Sequence, residues 1–250
     1  MRNQYIIELK KDGYMKYISH LDMIKLFKNS FKKAGIKLAY SQGFNPHPKM
    51  GFAQPLSLGY SSTCELLEFE TKESLQTHEI LELLQGNIPK GIEIFGCKNF
   101  TNKRSFAARS YAATYEITIP IEASFVQKNN IQNQSLNEIC EDFMKQDKIV
   151  ALKRQKKTGK SVAVDIKGMI RSIAAILTED PQDNTIHISS EKQSQAFERS
   201  KSIVLTVTLD SGSNSNLSPE LLLAAFTAFA NIDVDREDVE VKRTGLFFYE

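Results

Sequence analysis

The spacing of apolar residues switches repeatedly along the chain, and that succession limits the folds open to it. Tyr5–Leu9 alternates and is rich in β formers, which predicts a strand. Asp12-Gly13 is a turn signal, after which Tyr14–Ile18 reads as a short returning strand. Ser19 predicts a helix N-cap, with Asp22 in the capping-box position of the usual Glu. That helix runs to Ala34 and stops at Gly35, with Ile24, Phe27, Phe31 and Ala34 on its buried face. Ile36–Tyr40, Cys64–Glu70 and Ile92–Phe95 read as strands, and Leu75–Leu84 as a helix. The order β-α-β-β-α-β is the split-βαβ, ferredoxin-like pattern.

Asn99–Arg109 is polar and irregular and reads as a linker. Beyond it the order repeats loosely. Tyr115–Ile119 is a strand, Leu136–Lys145 a helix, and Ile149–Arg154 with Ser161–Val164 a hairpin around Thr158-Gly159. Ile170–Leu177 reads as a short helix or a buried segment; Thr185–Ser189 and Ile203–Leu209 read as strands. Ser218 and Pro219 open a helix whose Leu221–Ala230 stretch is apolar nearly all round and therefore buried. Val239–Tyr249 closes the chain as a strand. The expectation is an α+β protein of two ferredoxin-like (βαββαβ) halves with antiparallel sheets, residues 1–98 and 110–250, without sequence repeat between them.

Charge is segregated. Residues 1–60 carry ten Lys/Arg against three Asp/Glu, and residues 148–171 carry eight against one, each a net of +7 in a chain of net +2. Two basic blocks in an otherwise acidic chain imply a local basic surface and a polyanionic partner; the plainer alternative is two unrelated solvated faces. Lys25, Lys28 and Lys32 fall together on one helix face. Cys64, Cys97 and Cys140 are too scattered for a zinc ribbon or iron–sulfur cluster and read as buried hydrophobes in a reducing compartment. No apolar run reaches the ~20 residues a membrane helix needs, and Met1–Leu9 lacks a signal-type stretch, so a cytoplasmic location is expected.

Ser41–Met50 carries the most specific chemistry. Pro46 and Pro48 restrict the backbone around His47, while Gly43 and Gly51 allow positive φ or close approach. A stiff loop displaying Phe44, Asn45, His47 and Lys49 suits a ligand: an aromatic stacks on a base, Asn reads an edge, Lys meets phosphate. An Ω-type loop packed by its own side chains is the alternative. The 153–160 hairpin tip offers Arg154, Lys156, Lys157 and Lys160 as a second basic contact, but lacks the first glycine of a phosphate loop. His20 and His47 could form the acid/base pair of a metal-independent ribonuclease, and Asp22 could complete a metal site with them. The blander reading of His20 is a satisfied, partly buried imidazole.

The stretch Ile18-Ser-His-Leu-Asp-Met through Tyr40-Ser-Gln-Gly-Phe-Asn-Pro-His-Pro-Lys-Met, with Ala53-Gln-Pro-Leu-Ser-Leu-Gly59, closely resembles the radical-SAM-linked domain of unknown function. Val164-Asp-Ile, Leu217-Ser-Pro-Glu-Leu-Leu and Arg243-Thr-Gly-Leu fit it too. In that family the module is fused behind, or encoded beside, a B12-binding radical-SAM protein, in neighbourhoods that often hold a ribonuclease and ribosomal-protein genes. The resemblance implies a stand-alone module, a radical-SAM partner and, by association, an RNA context; it supplies no catalytic residue. The expectation is therefore an RNA-directed recognition or accessory subunit, non-catalytic alone, with no cofactor, no metal and no membrane contact. The alternatives are an RNA-processing enzyme using His20 and His47, and a protein-interaction module that does not touch RNA.

Overall fold

The computed structural model describes residues 3–101, 104–121, 132–155, 159–179 and 201–250. They are mixed α and β, with mostly antiparallel pairing. The chain forms two compact units: Met1–Ala113 with Ser211–Asn214 and Lys242–Glu250, and Thr114–Asp210 with Ser215–Val241. Among the described residues no helix is long and apolar enough to cross a membrane.

In the first unit, β1 (Asn3–Lys11) pairs antiparallel with β3 (Ser61–Thr71) on one edge and β4 (Ile92–Asn99) on the other. The second edge of β3 is shared. The short β2 (Met50–Phe52) pairs antiparallel with its Leu67–Phe69 end, and the last strand, β10 (Glu240–Phe248), runs parallel to its start at Lys242↔Ser61 and Arg243↔Ser62. Helices α1 (His20–Lys33) and α2 (Thr77–Gln85) cover one face. Met23, Phe27 and Phe31 of α1 and Ile80 and Leu84 of α2 pack there on Tyr5, Ile7, Leu9, Leu67 and Phe69. The expected α1 face holds at Phe27 and Phe31, with Met23 and Ser30 buried beside them and Ile24 and Ala34 partly buried. Ser19 caps α1 as expected: its Oγ accepts from the Asp22 amide at 3.2 Å and donates to the Asp22 carboxylate at 2.7 Å.

Three expectations for this unit are corrected. Tyr14–Ile18 is no strand; Gly13–Tyr17 forms a 3-10 turn, because both edges of β1 are already taken by β3 and β4. Ile36–Tyr40 makes only isolated bridges, Leu38↔Thr71 and Tyr40↔Pro48, because it changes partner within three residues. Residues 99–101 and 104–109 pack within the unit: the Phe100 amide donates to the Gln4 carbonyl, and the Phe106 ring meets Phe100 and Phe248.

In the second unit, β8 (Ile170–Glu179) and β9 (Lys201–Asp210) pair antiparallel, and β9 lies beside β5 (Ser110–Ile121), which begins in the first unit and continues here. The segment expected as a helix or buried stretch is thus a strand: short apolar runs do not declare their period, and pairing with β9 from Ile170↔Leu209 to Glu179↔Lys201 satisfies its backbone. Helices α4 (Asn133–Lys145) and α5 (Pro219–Ala230) meet through Phe143 and Phe226, edge to face at 5.4 Å; between β4 and β5 lies a single turn, α3 (Phe106–Arg109). The expected basic hairpin forms from β6 (Val150–Arg154) and β7 (Ser161–Asp165). Thr185–Ser189 lies outside the described residues.

Candidate functional site

Helix α1 sets the first candidate surface. Burying Met23, Phe27, Ser30 and Phe31 turns Lys28, Asn29 and Lys32 outward, and Gly35, at φ 73°, then reverses the chain so that Ile36–Tyr40 runs back alongside. Between them opens a groove of ≈ 670 Å³, lined by Lys28, Lys32, Lys37, Lys72, Asn29 and Tyr40 over an apolar floor that includes Phe31 and Leu38. Four lysines thus border one concavity, and the ammonium of one of them, Lys37, is paired with the Glu73 carboxylate at 3.0 Å. Lys25 is turned instead to Asp22, 3.2 Å away, and is not among the lining residues. The Ser19 and Lys25 hydrogen bonds hold the Asp22 carboxyl below its ordinary range.

The Ser41–Met50 loop is closed at its neck. The Ser41 amide donates to the His47 carbonyl at 2.8 Å, and the His47 amide donates back to Ser41 Oγ at 3.0 Å. Gly43 takes φ 130°, a conformation an L residue rarely adopts. Phe44, Asn45 and His47 are exposed, with Phe44 projecting fully. Lys49 behaves differently: its ammonium meets both Glu70 carboxylate oxygens at 3.1 and 3.2 Å.

A third constellation was missed by motif reading. The core-facing register of β1 runs Tyr5, Ile7, Leu9, Lys11, and that of β3 runs Glu65, Leu67, Phe69, Thr71, so strand alternation delivers a lysine and a glutamate into the interior. Arg243, 1% exposed, joins them from β10. Its Nη2 reaches the two Glu65 oxygens at 2.6 and 2.7 Å and also donates to the Gln54 carbonyl at 2.9 Å. Lys11 donates to the Ile18 carbonyl at 3.3 Å. His20 closes the group, its ring edge-on to Phe52 at 5.8 Å. Burial lowers the pKa of both His20 and Lys11, with the Glu65 charge opposing in each case. The segments 18–23, 53–59 and 243–246 therefore converge through His20, Gln54 and Arg243. The space His20, Lys11 and Glu65 enclose is ≈ 10 Å³, about one water and no substrate. This cluster ties α1, β1, β3 and β10 together, and His47 is not among the residues enclosing it.

In the second unit the hairpin turn is closed by Gln155 and Lys160, with Arg154 Nε donating to the Gly159 carbonyl at 3.4 Å. Lys156 and Lys157 lie outside the described residues. No group of three His, Cys, Asp or Glu among the described residues is arranged to hold a metal ion. Of the groove residues, Lys37, Lys72, Asn29 and Tyr40 were absent from the sequence expectation; only Lys37, alternating away from Ile36 and Leu38, carried a local signal.

No curated protein matches the chain. A solved structure described as an unknown protein from Galdieria sulphuraria covers 100% of both chains at 8% identity and a TM-score of 0.25, too low to carry an argument. A family model described as an uncharacterized protein conserved in bacteria matches residues 4–219.

Proposed function

The chain belongs to that bacterial family, DUF2344, and from this premise we propose that it is an RNA-directed recognition or accessory subunit, non-catalytic alone. The groove beside α1 supports the reading best. Four lysines border one concavity with an aromatic and an amide at hand, which suits a polyanion whose bases stack and offer edges. The exposed Phe44, Asn45 and His47 lie in the loop that follows Tyr40 in the chain and offer side chains suited to choosing among sequences. Partnership with a radical-SAM enzyme rests on the motif resemblance alone. The fold reading goes with it: a β4-β1-β3 order with β2 on β3 supports a ferredoxin-like first half, and a β5-β9-β8 order supports a looser second one.

RNA binding followed by fluorescence anisotropy across salt concentrations tests this. Four lysine contacts on a single strand give a log–log slope of about −2.8, at about −0.7 per phosphate neutralised. Lys28→Ala with Lys32→Ala should flatten it by about 1.4 and weaken all sequences alike. Phe44→Ala or Asn45→Ala should change which RNA is preferred. The purified chain should not cleave RNA. No binding to any RNA at low salt would overturn the reading, and a nuclease-resistant complex with a protein partner would then replace it.

A further inference from the structure

A second concavity lies on the opposite face of β3 from the helices. Glu68 and Glu70 alternate with the core residues Leu67, Phe69 and Thr71 and so project to that face. Gln4 stands across from Glu70 on β1, and Gly51 across from Glu68 on β2. With Lys49 and Phe100 they line a pocket of ≈ 300 Å³, at the small end of ligand pockets.

Gly51 is the informative residue. A glycine inside a strand commonly marks a bulge or the close approach of backbone or ligand. Here the pairing with β3 is regular, φ is not positive, and a Cβ built on Gly51 would meet nothing within 4 Å. No protein neighbour needs the missing side chain; the space it leaves is the pocket.

The polar groups are ordered. Glu68 is anchored by the Phe106 amide, which donates to one of its oxygens, leaving acceptor capacity on the other. Lys49 supplies ammonium protons beside Glu70. A carboxylate acceptor, an ammonium donor and a phenyl ring around a slot of one-ring-system size complement a flat heterocycle with adjacent N–H donors next to a carbonyl. Among RNA bases that is guanine: N1–H and N2–H face a carboxylate and O6 faces a cation. Adenine presents an acceptor where guanine presents N1–H.

We propose that this pocket takes a single unpaired guanine, which fixes one base of a strand held by the basic surface. This rests on the RNA reading but concerns a different set of residues. Unpaired bases are commonly read in such a way, by edge contacts and stacking on an aromatic.

Calorimetric titration with GMP and AMP tests it, the shared phosphate cancelling in the comparison. GMP should bind with a dissociation constant of about 1 mM or tighter, and AMP about tenfold or more weakly. Gly51→Val should fill the pocket and abolish GMP binding at unchanged melting temperature; Gly51→Ala, a smaller intrusion, should weaken it if the valine variant does not fold. Glu68→Gln keeps an acceptor for the Phe106 amide but sets a donor against guanine, and should erase the preference over AMP. No saturable GMP binding, equal affinity for both nucleotides, or undiminished binding by a folded Gly51→Val protein would overturn the proposal. If GMP fails while salt-dependent RNA binding through Lys28 and Lys32 persists, the pocket assignment alone falls. If GMP binds and RNA does not, the pocket stands and the polyanion reading falls.

Discussion

Replacing Glu65 by leucine should be among the costliest single changes in the first unit. In the native protein Glu65 and Arg243 form a nearly water-free pair, their side chains 4% and 1% exposed, with Lys11 buried beside them. Removing the one carboxylate leaves two buried cations without a counter-charge, and breaking a buried pair in this way costs about 3–5 kcal/mol. Against a typical total of about 5–15 kcal/mol that is a large fraction, equivalent to roughly 6–20 °C in melting temperature for a chain of this size. Arg243→Met should cost less, by on the order of 1 kcal/mol, because Glu65 still has the Lys11 ammonium to balance it. The double variant should recover part of the Glu65→Leu loss, since Lys11, whose pKa burial already lowers, can then sit in the cluster as the neutral amine. Urea unfolding followed by far-ultraviolet circular dichroism measures all three; the chain contains no Trp, so indole fluorescence offers no signal. Equal losses for the two single variants, or a Glu65→Leu loss below about 1 kcal/mol, would refute the view that one carboxylate balances two buried cations.

Ser19→Ala removes the acceptor for the Asp22 amide at the start of α1 and should cost about 0.5–2 kcal/mol in the same assay. His20 has its pKa lowered by burial, so the unfolded chain takes up that proton first as pH falls through 6.5. Stability should therefore be whole above that pH and decline below it towards the folded-state pKa, and His20→Gln should remove this share of the decline when urea midpoints at about pH 7.5 and about pH 5 are compared. Burial pushes the Cys97 and Cys140 thiols up to about 11 and raises Cys64 as well. A disulfide reagent at neutral pH should react slowly with the native protein and promptly with all three thiols after unfolding.

Local sequence determined the elements that carry their own period. The buried side of α1, its Ser19 cap, the helix opened by Pro219 and the alternation of β1, β3 and β9 could be read directly, because helices and strands each hide one face at a fixed spacing. The closed, proline-stiffened loop presenting Phe44, Asn45 and His47 was legible for the same reason, its backbone restrictions being local. Tertiary structure decided what depends on which strand edge remains open. It made Ile170–Glu179 a strand by offering it β9, and denied Tyr14–Ile18 a strand by filling both edges of β1. It laid the end of the chain along β3, which brought Arg243 to Glu65 across 178 residues of sequence. It gathered Lys37 and Lys72 with Lys28 and Lys32 around one groove while turning Lys25 away to Asp22. Alternation did place Lys11 and Glu65 on interior positions, but a lone charge on an apolar face declares itself only when its counter-charge is known. That counter-charge comes from the far end of the chain, and no window of local sequence spans the distance.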